Sequence, residues 1–180
     1  NSIMNYEMSN NFNYEMNKLT IITIVLIFLV VLFTFKSLII PFILVLLIQC
    51  AVYILMGVIN ILDMKVYYLS LLIVQSILMG ATIDYAILFT NYYRELRKEN
   101  SIRISLKETY NKSIHTIFTS SLIMIVSLFI LGFVFKDPAI GEICHIIAIG
   151  VTIAVLLILF VLPSIIVLFD KKIVKNKFKS

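Results

Sequence analysis

The chain has 180 residues, of which 61% are apolar and 14% charged, with a net charge of +5. Soluble domains average about 45–50% apolar and about 25% charged residues, so this composition excludes an ordinary soluble protein. The mean hydropathy of +1.05 also indicates a chain more apolar than a soluble protein. Only five Gly and three Pro interrupt the apolar runs, which favours membrane helices over a membrane β-barrel. The predicted fold is an all-α polytopic membrane helix bundle.

Several function classes find no support in the sequence. Basic residues cluster at the ends of apolar stretches rather than along a groove, so a nucleic-acid partner is not expected. Cys50 and Cys144 lie in apolar surroundings without a CxxC pattern or a His at ligand spacing, so no metal or other cofactor is predicted. No Ser/His/Asp set, pair of catalytic aspartates or HExxH motif occurs, and we do not expect an enzyme.

Five stretches are long enough to cross a bilayer, which requires about 20 apolar residues per helix. The predicted spans are approximately residues 19–36, 38–60, 68–93, 114–135 and 143–169. Together they form a transmembrane domain over residues 19–170. Phe35-Lys36-Ser37, followed by Pro41 in the next helical turn, predicts a tight hairpin between the first two spans.

The segments outside the spans are polar. We expect residues 1–18 to be the end of an external domain or a disordered start, and residues 94–112 to be a cytoplasmic loop. Within this loop Ser105-Leu106-Lys107-Glu108 fits a capping box and predicts a short helix on the membrane surface. Residues 171–180 are predicted to be a basic cytoplasmic tail.

The distribution of basic residues predicts the orientation. Twelve lie on one side of the five-span arrangement: Lys36, Arg94, Arg97, Lys98, Arg103, Lys107, Lys112, Lys171, Lys172, Lys175, Lys177 and Lys179. Three lie on the other: Lys18, Lys65 and Lys136. The positive-inside rule therefore predicts an external N-terminus and a cytoplasmic C-terminus. An external start without a signal peptide suggests that a larger parent protein, with a further span and an external domain, precedes Asn1.

Asp84 is the charged residue within the third predicted span. It lies nine residues, about 14 Å, from the cytoplasmic end at Tyr93, where a carboxylate costs about 2.5–3.5 kcal/mol on insertion scales. Removal from water disfavours the charged form, so a proton can bind and leave, as a proton relay requires. The alternative is an Asp that only pins two helices together. Tyr85 is either a relay donor or an aromatic side chain facing a neighbouring helix.

Small and polar residues accompany Asp84. Ser76, Gly80 and Asp84 follow one another at intervals of four and form a stripe that a second helix can approach closely. Thr119, Ser120 and Ser121 in the fourth span lie at a comparable depth. We expect Gly80 to face that span, with these hydroxyls donating to Asp84 or carrying a water chain. Their alternative role is to satisfy carbonyls of their own helix.

These residues also carry a resemblance. Gly80-Ala-Thr-Ile-Asp84-Tyr85, followed by Tyr93-Arg94-Glu95, resembles the G-x-x-x-D-Y span and Y-R-E exit of the MMPL family in the RND transporter superfamily. The Phe35-Lys36-Ser37 hairpin, the Thr119–Ser121 patch and the Leu162-Pro163 pair resemble other parts of one RND half. The resemblance extends from about Leu19 to Asp170.

The resemblance implies a proton-driven exporter in the cell membrane, with an intramembrane Asp-Tyr element, here Asp84 and Tyr85, as proton relay. It implies membrane lipids, a hydrophobic or lipid substrate, and the other half and porter domains of the parent as partners. The chain departs from the complete pattern because it has five spans rather than twelve and no porter domain.

Two hypotheses of other classes remain open at the sequence level. One is a sterol-sensing or receptor-like domain that binds lipid without pumping. The other is a membrane scaffold or translocase accessory subunit without a small-molecule substrate. Dependence of activity on the proton gradient distinguishes the exporter from the sensor, since a sensor needs no gradient.

Overall fold

A computed structural model describes residues 2–62, 68–135, 137–170 and 173. Its helices are α1 (Ser2–Phe35), α2 (Ile39–Ile61), α3 (Tyr68–Leu96), α4 (Ile102–Val134), α5 (Pro138–Leu156), a π turn (Leu157–Val161) and α6 (Leu162–Leu168). The last three form one continuous span. The five resulting helices are long and apolar enough to cross a membrane, and the described residues include no strand. The predicted all-α membrane helix bundle is confirmed.

The first helix is longer than its predicted span. It begins at Ser2 rather than near residue 19, and the disordered start for residues 1–18 stays a prediction. Residues 2–35 contain neither Gly nor Pro, the residues least favourable in a helix interior, so the polar start can continue the helix of the first span. The assignment of these residues to the end of an external domain stays a prediction.

The segment between the third and fourth spans is mostly helical rather than a loop. α3 continues to Leu96 and α4 begins at Ile102, with Ser101 at the N-cap position. The predicted capping box at Ser105 is wrong, because Ser105 is already buried in the first turn of α4. The separate surface helix is likewise wrong, since α4 runs without interruption for 33 residues.

The other helix ends agree with local signals in the sequence. The predicted hairpin is present, with Lys36 at a φ of 49° between α1 and α2. Pro41 occupies the first turn of α2, where no carbonyl awaits an N–H. α5 begins earlier than the predicted 143, at Pro138, because the Asp137 side chain accepts a hydrogen bond from the Ala139 amide at 3.0 Å and caps the helix.

The core lies where α2, α3 and α5 meet. Gly150 on α5 allows a close approach, because a Cβ placed there would lie 2.9 Å from Leu55 Cδ2 and 3.0 Å from Leu78 Cδ2. Leu55 and Leu78 are both fully buried. α1 packs against α2 and α3 at the edge of the bundle, where Gln75 on α3 donates to Thr20 Oγ1 on α1 at 2.5 Å.

Candidate functional site

The candidate site lies on α3, which positions Asp84 far from both ends of its span. The span covers Ser70–Leu96, which places Asp84 about 18 Å along the helix from Leu96 and about 21 Å from Ser70. The Asp84 side chain is exposed at the surface of the described bundle. It makes no hydrogen bond or ion pair with any residue that the structure describes.

α3 has one buried face and one uncovered face. Leu78, Thr82, Ala86 and Phe89 are completely buried, whereas Gly80 and Asp84 are exposed and Ser76 is half-buried. The Ser76 hydroxyl donates to its own helix, to the Leu72 carbonyl at 2.9 Å. The predicted stripe therefore exists as one face of α3.

The expectation that Gly80 packs against the fourth span is wrong. A Cβ built at Gly80 has no atom within 4 Å among the described residues. α3 meets α4 through other side chains, because the Phe89 ring contacts the Tyr110 ring edge-on at 5.4 Å between centroids. The uncovered stripe lies next to this contact face rather than on it.

Tyr85, rather than Asp84, reaches the hydroxyl patch on α4. The Tyr85 hydroxyl lies 3.2 Å from Ser120 Oγ. Ser121 is buried and donates to the Phe118 carbonyl at 3.1 Å, and Thr119 is exposed. The three consecutive residues thus point in different directions, as a helix of 3.6 residues per turn requires. The predicted direct donation from these hydroxyls to Asp84 is absent from the described contacts.

A buried polar cluster at the end of α3 was missed by sequence reasoning. Tyr93 donates to Asp170 Oδ1 at 2.6 Å, and Arg97 donates to both carboxylate oxygens of Asp170, at 3.0 and 3.1 Å. The hydrogen bonds that the Arg97 guanidinium donates to Asp170 raise its pKa above the usual value of an arginine. The cluster joins the end of α3 to the end of the last span.

Arg94 ties the same end of α3 to the first hairpin. Its Nη1 donates to the Phe35 carbonyl at 3.1 Å, and its guanidinium lies 5.4 Å from the centre of the Phe35 ring. Phe35 is the last residue of α1, so this bond satisfies a carbonyl that the helix leaves free. Arg94, within the Y-R-E exit, and Arg97, two residues after it, therefore both make structural contacts.

A second feature missed from the sequence is a ladder on α4 made of four small hydroxyl side chains and one isoleucine. Ser105, Thr109, Ser113, Ile117 and Ser121 recur at every fourth position and are buried. Thr109 and Ser113 donate to carbonyls one turn back, at 2.7 Å each. The i, i+4 spacing was visible in the sequence and would have predicted which face of α4 packs inward.

In the part of the chain that the structure describes, no group of three or more His, Cys, Asp or Glu side chains is placed to hold a metal ion. Cys50 is exposed, Cys144 is buried, and both are free thiols. The chemistry of the candidate site therefore rests on one carboxyl group, with a phenol and a hydroxyl in contact beside it.

Comparison with known proteins assigns the chain to a family. A search of curated proteins gave no significant match. The family model described as "MMPL family" matches residues 1–179. Because this match covers nearly the whole chain, including the Asp84 helix and the ion-paired end of the last span, the chain belongs to the MMPL family.

Proposed function

We propose that the chain is the transmembrane portion of a proton-motive-force-driven RND/MMPL-type exporter of lipids or other hydrophobic compounds, with Asp84 as the proton relay. The observation that carries the proposal is the Asp84 carboxyl group. It lies deep within α3, exposed on the face that also carries Gly80, and it has no partner among the described residues.

A proton relay accounts for this placement better than a structural pin. A pin is expected to bond across two helices, as Gln75 on the same helix does with Thr20 on α1. A carboxylate without a partner in hydrocarbon is costly, and intramembrane carboxyl groups therefore mark cavities, contacts with other helices or proton pathways. A group that must bind and release a proton has to remain reachable by water or a proton donor.

The surroundings of Asp84 support a coupling between protonation and helix contact. Ser76 and Gly80 leave room for another helix to approach the uncovered face closely. A protonated Asp84 removes the charge from this face and permits an apolar contact, whereas an ionised Asp84 requires water or donors there. The phenol of Tyr85, 3.2 Å from Ser120 Oγ, lies next in sequence to Asp84 and can move a proton or orient water beside it.

The proposed partners follow from this uncovered face and from family membership. They are the remaining half and the external porter domains of a parent transporter, together with membrane lipids and a hydrophobic or lipid substrate. The uncovered face of α3 is the proposed contact with the other half. The proposed location is the cell membrane, which the chain crosses five times.

The test replaces Asp84 by Asn in the full parent protein. Asn keeps the size and hydrogen-bonding capacity of Asp but cannot titrate. Transport is followed with a fluorescent phospholipid analogue placed in the inner leaflet, whose arrival in the outer leaflet is read with an impermeant quencher. We expect Asp84→Asn to abolish gradient-driven transport while far-UV circular dichroism and membrane insertion remain unchanged.

The matched control is Asp137→Asn, the same chemical change at an exposed helix cap that Asn also tolerates. This variant should transport normally. Full transport by Asp84→Asn would show that Asp84 is a structural residue. A different result would favour the receptor-like alternative. The parent protein would then bind lipid, and a proton ionophore would not change its activity.

A further inference from the structure

The last span changes its helical register before it ends. Between α5 and α6 the Leu162 amide donates to the Leu157 carbonyl, five residues back rather than four. Pro163 follows at once and has no amide hydrogen. A π turn next to a proline is a recognised origin of a bend, and π turns occur often at functional positions.

Pro163 leaves the Leu159 carbonyl without its usual partner. Leu159 lies four residues before Pro163, so in an α-helix its carbonyl would accept the amide hydrogen that proline lacks. Leu159 is buried in the bundle. Within a bilayer no water compensates for a missing backbone hydrogen bond, so the carbonyl needs a donor from elsewhere.

Tyr110 on α4 supplies that donor. Its hydroxyl donates to the Leu159 carbonyl. Tyr110 is the ninth residue of α4, and Leu159 lies nine residues before the end of α6. The short connection from α3 and the Arg97–Asp170 pair hold these two helix ends together, so the two residues lie at similar depth.

The Tyr110 ring has a second contact that links it to the candidate site. It meets the ring of Phe89 on α3 edge-on, with 5.4 Å between centroids. Phe89 is fully buried and lies five residues after Asp84 on the same helix. A displacement of α3 relative to α4 would therefore move the Tyr110 ring and, with it, the hydroxyl at Leu159.

We propose that the Tyr110 hydroxyl is a latch on a hinge formed by the π turn and Pro163. When the hydroxyl is bound to the Leu159 carbonyl, the last span is held in its π-turn register. When it is released, the residues around Leu159 open and the two arms of the span, α5 and α6, change their relative angle. The latch rests on the backbone geometry of the last span and does not depend on whether Asp84 carries protons.

The test is a double-mutant cycle in the full protein in lipid nanodiscs. Amide hydrogen exchange of residues 157–165 is compared for the native protein, Tyr110→Phe, Pro163→Ala and the double variant. Loss of the hydroxyl should accelerate exchange about tenfold in the Pro163 background, which is the scale of one lost hydrogen bond to a buried group. In the Pro163→Ala background the introduced alanine provides its own amide hydrogen, so Tyr110→Phe should change exchange less than about twofold.

The matched control is Tyr92→Phe, which removes a hydroxyl with no hydrogen bond among the described residues and should leave exchange at 157–165 unchanged. Equal acceleration by Tyr110→Phe in both backgrounds would overturn the latch, because the effect of the hydroxyl would then be independent of the amide hydrogen that Pro163 lacks. Exchange in Tyr110→Phe no faster than in Tyr92→Phe would overturn it as well. If Pro163→Ala does not yield a monodisperse protein, the comparison of these two tyrosine variants decides by itself.

Discussion

Asp170 is only 4% exposed, and its carboxylate accepts hydrogen bonds from Tyr93 and Arg97. Bidentate pairing with a guanidinium is among the stronger polar contacts in proteins, because both oxygens are satisfied in one plane. The remaining Arg97 donor, Nη1, bonds to the Asn100 carbonyl at 2.8 Å. The cluster therefore fixes the ends of two helices and the start of the connection between α3 and α4.

Removal of the Arg97 cation should destabilise the protein, because the buried Asp170 carboxylate would lose its counter-charge. We expect Arg97→Gln to lower the free energy of unfolding by about 3 kcal/mol, because Asp170 would remain buried without its cation. SDS-induced unfolding in mixed micelles measures the change. Arg103→Gln, at an exposed position of α4, should change the unfolding free energy by less than about 0.5 kcal/mol. Equal effects of the two variants would contradict a structural role for the pair.

At this scale the sequence identified Asp84 but not Asp170. Asp84 interrupts an apolar span, and a charged residue in such a position is costly enough to indicate a functional role. Asp170 lies at the end of a span beside a basic tail, where solvation explains a charge adequately. Its partner Arg97 is 73 residues away, and no local pattern connects residues at that separation.

The fourth helix is longer than the apolar stretch from which its span was predicted. α4 has 33 residues and is about 50 Å long, whereas the hydrocarbon core of a bilayer is about 30 Å thick. The apolar stretch marked the part that lies in hydrocarbon, but the helix continues over charged residues such as Arg103 and Lys107. A polar sequence without Gly or Pro can continue a helix, and so the predicted loop 94–112 was too long: the helices are interrupted only over residues 97–101.

Two glycines on facing elements test the packing of the helices. Gly150→Ala should lower the free energy of unfolding by about 1–3 kcal/mol, since the new Cβ would meet Leu55 and Leu78 at about 3 Å. Gly80→Ala is the matched control, because no described atom lies within 4 Å of its Cβ. In the isolated chain Gly80→Ala should be neutral or gain up to about 1 kcal/mol from helix propensity.

The same pair of variants distinguishes a lipid-facing stripe from a helix contact. If another half packs on the uncovered face of α3, Gly80→Ala should impair the parent protein although it leaves the isolated chain intact. Unchanged parent function in Gly80→Ala would argue against close helix contact there. A destabilised isolated chain would contradict the exposure of Gly80.

The sequence predicted the stripe Ser76, Gly80 and Asp84 correctly as one face of a helix but assigned it the wrong neighbour. Helical periodicity determines which residues share a face, yet it does not determine which helix covers that face. The face of α3 that meets α4 is instead the one that carries Phe89, whose ring contacts Tyr110. The inward face of α4 is the one that carries the buried ladder. A small-residue stripe left uncovered by its own bundle is consistent with a partner outside the described residues.

For the whole molecule, the predicted topology has residues 18 and 136 outside and residues 98 and 175 inside. It rests on the twelve-to-three distribution of basic residues. Single cysteines at these positions, in a background without Cys50 and Cys144, should react with an impermeant thiol reagent from outside only at 18 and 136. Position 98 is preferred to 97 because Arg97 binds Asp170. Reaction at 98 in intact cells would reverse the topology.

The central claim is that Asp84 binds and releases a proton within the membrane, and infrared difference spectroscopy of the full protein in nanodiscs tests it without knowledge of the substrate. Spectra recorded across a pH titration should contain a protonated-carboxyl stretching band whose amplitude changes with pH. Because the other Asp and Glu side chains also contribute to this band, one component of it should be lost in Asp84→Asn and retained in Asp137→Asn. A pH-dependent band that is unchanged in Asp84→Asn, or the absence of any such band in the native protein, would contradict the account.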